Sequence, residues 1–132
     1  MDLLLARGVE VTALCRSDAG ARGLRARGAT VIRGDLSAPS SWQGAVEGAD
    51  VVFHAGQPRA TPPLRGRQVR RLERQAREAA EAIAAATPVG TPVVMASCGI
   101  GSQGAPLRIA HPARAAEDAL AGASLRAVRL PW

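Results

Sequence analysis

The sequence predicts an α/β protein built on a doubly wound parallel sheet, with helices on both faces. Three observations predict it. Short apolar, β-branched runs at residues 9–15, 29–33, 50–54, 92–96 and 125–130 read as five buried strands. Helical segments alternate with them, and such alternation implies parallel pairing through right-handed crossovers. Small, turn-forming residues follow the strand ends, as in Gly34-Asp35-Leu36 and His54-Ala55-Gly56.

The elements follow in order. Residues 2–8 read as the last turns of a helix, with Gly8 as its stop. After the first strand, Ser17 is placed to cap a helix reaching about Arg27, and Gly28 ends it. The second strand, 29–33, runs into the Gly34-Asp35-Leu36 turn. Residues 37–47 are expected to form a short helix with Pro39 in its first turn. The third strand, 50–54, is followed by a proline-rich loop at 57–64.

Residues 65–86 form the longest predicted helix. Val69, Leu72, Ala76, Ala79, Ala80 and Ile83 recur at three- and four-residue steps and make one buried stripe. Arg74 with Glu78, Arg77 with Glu81 and Glu73 with Arg77 are spaced for ion pairs on its outer face. Pro88 and Gly90 break the helix before the fourth strand, 92–96. A Gly- and Ser-rich loop is expected over 97–111. A helix at 112–121 opening on Pro112 and the strand 125–130 complete the pattern.

Composition narrows the class further. A chain of 132 residues is one domain at most, and 47% hydrophobic residues exclude a disordered chain. No apolar run approaches a membrane span. Residues 3–6 are too short for a signal-peptide core, and Asp2 sits where a positive charge belongs. A cytoplasmic location is therefore expected. Cys15 and Cys98 match no metal or disulfide spacing and read as small buried hydrophobes. The net charge is +6, and every basic residue is Arg; Lys, Tyr and Asn are absent. That bias fits GC-rich coding. A basic chain attracts polyanions, yet Arg on helix surfaces is usually just solvated.

The chemistry-bearing residues sit at strand ends. Cys15-Arg16-Ser17 ends the first strand. In a dinucleotide-binding sheet that point meets the adenosine ribose, where an acid favours NAD and an Arg accommodates the 2′-phosphate of NADP. Arg16 is always charged and geometrically suited to phosphate, and Arg22 is placed to assist. Asp18 lies too far into the turn to serve as the NAD acid. Asp35 is able to accept from an adenine amino group, to cap the segment that follows, or both. Small residues at Ala55 and Gly56 allow close backbone approach to a ligand. His54 reads more readily as a core or strand-end histidine.

An ordered set of these pieces resembles the extended and atypical short-chain dehydrogenase/reductases, the NAD(P)-dependent epimerase/dehydratase group. The matching pieces are residues 4–11, Arg16-Ser17, 31–36, 50–55, 93–97, 117–120 and 128–131. The resemblance implies a Rossmann-like fold, NADP (or NAD) as cofactor, and hydride chemistry on a small alcohol, ketone or sugar. It implies a cofactor site made of Arg16, Ser17, Asp35, Leu36, His54, Ala55 and Gly56. It makes Ser97 the residue that orients the reacting oxygen. The family's first strand and phosphate-binding glycine loop find no counterpart, so a partial domain over 1–132 is expected. In the family's strand order, 3-2-1-4-5-6, that first strand is central. Either the strand pairs on its two sides join directly, or the sheet lacks its middle.

The resemblance also expects Tyr-x-x-x-Lys on the helix after Ser97, with Tyr as general acid/base. Neither residue type occurs in the chain. His111, with Arg114 one turn on, is the remaining candidate for proton transfer, although Pro112 would make His111 a capping residue. Cys98 is a still weaker nucleophile candidate. An incomplete or inactive oxidoreductase domain is thus the leading reading. A non-catalytic NADP sensor is the second. An Arg-rich nucleic-acid binder using Arg65, Arg67, Arg70, Arg71, Arg74 and Arg77 is the third, disfavoured by interleaved Glu and scarce aromatics. No metal site is expected, and self-association stays open.

Overall fold

The computed structural model describes residues 1–56, 65–98, 107–122 and 125–130, with side chains undescribed at 97–98, 107–111 and 125–130. Its elements are α1 (Asp2–Leu5), β1 (Thr12–Cys15), α2 (Asp18–Ala26), β2 (Thr30–Arg33), two single-turn 3-10 segments (Pro39–Ser41 and Gln43–Ala45), β3 (Val52–His54), α3 (Gly66–Ala86), β4 (Val93–Cys98), α4 (Leu107–Leu120) and β5 (Leu125–Leu130). The chain divides into two compact units, Met1–Ala45 and Val46–Trp132.

In the first unit β1 and β2 pair in parallel, from Thr12 opposite Thr30 to Cys15 opposite Arg33. Helix α2 packs on both strands and buries Ala21. Its start is the expected cap: Ser17 is extended and its Oγ accepts from the Gly20 N–H at 3.1 Å. Its end is the expected glycine stop. Gly28 sits at φ +93°, where a side chain would be strained, and the Ala29 N–H returns to the Leu24 carbonyl. Gly8 closes α1 in the same way, at φ +75°. An ion pair between Asp2 and Arg27 lowers the Asp2 carboxyl pKa and raises that of the guanidinium.

In the second unit the strand order is β3-β4-β5, and both pairings are parallel. Helices α3 and α4 pack together, and α4 packs on β4 and β5. The expected stripe on α3 is the one buried: Leu72, Ala76, Ala79, Ala80 and Ile83 are in the core, with Val69 at its half-buried edge. From α4 come Ala113, Ala115, Ala116 and Leu120. Alanine on both helices allows their backbones to approach closely. Among the described residues, Val93, Met95 and Leu120 are the largest fully buried side chains. On the outer face of α3, Arg74 and Glu78 form the expected pair at 3.6 Å.

All five strands are thus parallel with their neighbours, as predicted. Among the described residues the ladders are β1-β2 and β3-β4-β5, each in the order expected.

Three expectations are corrected. Residues 37–47 form no continuous helix. Ser40, Ser41 and Gly44 are poor helix formers, and the Ser41 hydroxyl bonds the Ala38 carbonyl, so two 3-10 turns result. The predicted loop over 97–111 is shorter at both ends. Strand β4 runs on to Cys98, and α4 starts at Leu107, ahead of Pro112, because Leu107, Arg108 and Ala110 favour helix. His111 therefore lies inside α4 and is not its cap.

Candidate functional site

The carboxyl end of a parallel sheet is where α/β proteins bind ligands, and the Met1–Ala45 unit builds a defined loop cluster there. Cys15 and Arg33 stand opposite one another in register, so the chains leaving β1 and β2 run side by side. The first loop is Arg16-Ser17-Asp18, leading into α2. The second is Gly34-Asp35-Leu36-Ser37.

Arg33 straps the first loop. Its Nη2 donates to the Arg16 carbonyl at 2.9 Å, and its Nη1 lies 2.8 Å from Asp18 Oδ1. Asp35 organises the second. Its Oδ1 accepts from the Ser37 N–H at 3.0 Å and from the Ser37 hydroxyl at 2.8 Å. Its carbonyl accepts from the indole N–H of buried Trp42 at 3.0 Å. The two loops meet through Arg16 Nη1 and Asp35 Oδ2, 3.5 Å apart. The Ser37 backbone N–H, then its hydroxyl, and beyond them Arg16, hold the Asp35 carboxyl below its ordinary pKa. Asp35 is therefore an anion across the neutral range.

Arg16, Ser17, Asp35 and Leu36 thus share the two strand-end loops, Leu36 being half-buried. The Arg16 side chain is 73% exposed, so its guanidinium is available to an incoming anion. Arg22 is also exposed, on α2. The capping role of Asp35 is realised as a turn onto Ser37, which leaves Oδ2 for Arg16.

Sequence reasoning missed Arg33, Trp42 and Gly20. The Arg33–Asp18 pair has no local sequence signal, since it depends on the register that sets Cys15 opposite Arg33. Gly20 is needed because a Cβ there would lie 2.7 Å from Cys15 Sγ. Gly34 serves close approach and not a sharp turn. Its φ is not positive, and a Cβ would come within 3.0 Å of Ser41 Cβ and 3.1 Å of Leu14 Cδ1.

The other candidates belong to the Val46–Trp132 unit. His54 ends β3 and is buried, 4% exposed; burial pushes its pKa down, so the ring is neutral at pH 7. That is the core histidine the sequence favoured. Ala55 is exposed and Gly56 half-buried at the strand end. Ser97 falls in β4 and His111 in α4. Their side chains, with that of Cys98, lie outside the described set. Among the described residues no cluster of His, Cys, Asp and Glu could hold a metal ion, and no helix is long and apolar enough to cross a membrane.

A sequence-family model described as NAD(P)H-binding matches residues 1–132. No curated protein matches the chain. Solved structures show the fold. Triphenylmethane reductase of Citrobacter sp., complexed with NADP(H), superposes with a TM-score of 0.65 at 20% identity, over 88% of this chain and 37% of that one. BdcA in complex with NADPH gives 0.65 at 14% identity, over 96% of this chain and 61% of that one. A 3-oxoacyl-[acyl-carrier protein] reductase from Brucella melitensis gives 0.65 at 18% identity, over 97% and 67%. The chain spans little more than a third of the length of the Citrobacter reductase.

Proposed function

The chain belongs to the NAD(P)H-binding family, and from that premise we propose that it is the NADP(H)-binding domain of an oxidoreductase of the short-chain dehydrogenase/reductase type. The observation that carries the proposal is the guanidinium of Arg16, exposed at the carboxyl end of β1, with Asp35 beside it. The donor set fits the adenosine end of the cofactor. Arg16 would take the 2′-phosphate, and Asp35 would accept from the adenine amino group. Ser17 and Leu36 would flank the ribose, and the Ala55-Gly56 backbone would lie near the cofactor. The bound nicotinamide would supply a hydride carrier.

The 132 residues bind but do not turn over, in this reading. They contain no Tyr and no Lys, so a Tyr-x-x-x-Lys proton donor is absent from them. General acid–base catalysis contributes roughly 10²–10⁴-fold in rate. Ser97 would orient a substrate oxygen, and His111 is the remaining proton-transfer candidate. A second reading, an NADP(H) sensor, is favoured by the same pairing of a phosphate-suited Arg16 with the missing Tyr and Lys.

The test is to titrate the purified chain with NADPH by fluorescence and then assay it with ketones, alcohols and nucleotide sugars. The proposal expects saturable binding and no turnover. Turnover abolished by Ser97→Ala or His111→Ala would overturn the second half and make His111 the catalytic acid. Absence of saturable NADPH binding would overturn the first.

A further inference from the structure

The loop after β1 carries both an arginine and an acid, residues with opposite consequences for a 2′-phosphate. Arg16 attracts it. Asp18, at the start of α2, repels it, because a phosphate monoester carries roughly −1.5 to −2 at neutral pH. The structure shows what decides between them. Arg33 reaches across from β2 and places one guanidinium nitrogen 2.8 Å from Asp18 Oδ1 and the other 2.9 Å from the Arg16 carbonyl. The first contact partly offsets the acid's charge, water screening the rest because the Asp18 side chain is 84% exposed. The second fixes Arg33 to the backbone of the residue that would bind the phosphate. The planar fork of an arginine makes both contacts at once; a lysine ammonium is a single point charge and does not reproduce this geometry.

We propose that Arg33 is a specificity-determining residue: by pairing with Asp18 it offsets the one carboxylate on the Arg16 loop, and so sets the selectivity for a 2′-phosphorylated nucleotide. The proposal rests on the reading that this loop receives the adenosine end of NADP(H). Arg33 itself does not touch the ligand in this account. Its guanidinium is already engaged on both sides, and its side chain is less exposed than Arg16's, 40% against 73%.

The test compares 2′,5′-ADP with 5′-AMP, titrated calorimetrically into the purified chain at low salt. The quantity read is the ratio of the two dissociation constants. A purely structural loss weakens both ligands alike and leaves that ratio unmoved. Wild type should prefer 2′,5′-ADP. Arg33→Met should cut the preference by about three- to tenfold, the size expected for one unmasked carboxylate facing a phosphate across several ångströms of water. The loss should shrink in 0.5 M salt. Adding Asp18→Asn to Arg33→Met should restore the ratio to within about twofold of wild type, because the unmasked charge is then gone. An unchanged ratio in Arg33→Met overturns the proposal, and so does failure of Asp18→Asn to rescue it. A wild-type chain that does not discriminate the two nucleotides overturns the underlying cofactor reading, and the role of Arg33 with it.

Discussion

Arg16 and Asp35 face each other across two strand-end loops, with the guanidinium Nη1 3.5 Å from the carboxylate Oδ2. The separation is long for a charge-assisted bond, and both side chains are more than a third exposed. Exposed pairs of this kind contribute roughly 0–1 kcal/mol. Arg16 is therefore pre-positioned by Asp35 but not captured by it. A phosphate, with more charge and more acceptor oxygens, displaces the carboxylate at small cost.

Asp35 matters more to its own loop, through the two bonds from Ser37. Asp35→Ala should lower stability at pH 7 by about 1 kcal/mol, a hydrogen-bonding loss limited by solvent exposure. The sign with pH follows from the depressed pKa. The stabilisation is present above the unfolded-state value near 3.8 and is lost as pH falls through the lower folded value. Urea melts should show a gap between wild type and variant at pH 7 that closes toward pH 3. A gap that persists there would assign the effect to packing.

His54 acts with the same sign in a higher window. Its folded pKa is depressed by burial, so the unfolded chain binds the proton more readily. Stability should be unaffected by this group above the ordinary value of 6.5 and should fall as pH drops below it. Denaturation midpoints at pH 7.5 and 5.5 measure the slope. His54→Gln should flatten it; an unchanged slope would remove His54 as its source.

The glycines separate two structural roles. At Gly34 a Cβ meets Ser41 and Leu14, and Gly34→Ala should cost about 1–3 kcal/mol through overpacking. At Gly23, inside α2, a Cβ meets nothing within 4 Å, and Gly23→Ala should stabilise by about 0.5–1 kcal/mol. Thermal melts of the two variants should move in opposite directions.

In the second unit, Leu120 is fully buried on α4. Leu120→Ala should cost about 2–5 kcal/mol, read from the denaturant midpoint. A loss below about 1 kcal/mol would mean that α4 is not seated as described.

Much of this was legible because local rules and tertiary packing agree. Ser17, Gly8 and Gly28 act as the caps that their residue types dictate, and the spacing of Leu72, Ala76 and Ile83 selected the buried face of α3. Pro39 resembles a helix start, but the helix expected over 37–47 does not form because the Ser41 hydroxyl bonds the Ala38 carbonyl three residues back. The loop expected over 97–111 is too long because Pro112 reads as a first helical residue, whereas it lies inside α4. Of the site, Arg16 and Asp35 were legible as strand-end residues. Arg33 was not, because its partners Asp18 and the Arg16 carbonyl come together only through the parallel register that sets Cys15 opposite Arg33.

The central claim is that Arg16 selects a 2′-phosphorylated dinucleotide. The most direct measurement is the ratio of NADPH to NADH affinity for the wild-type chain and for Arg16→Asp, by fluorescence titration in one buffer at fixed ionic strength. The account predicts tighter binding of NADPH to wild type, and a ratio that falls at least tenfold in the variant, about 1.4 kcal/mol or more. Equal affinities in wild type, or a ratio that Arg16→Asp leaves unchanged, would contradict it.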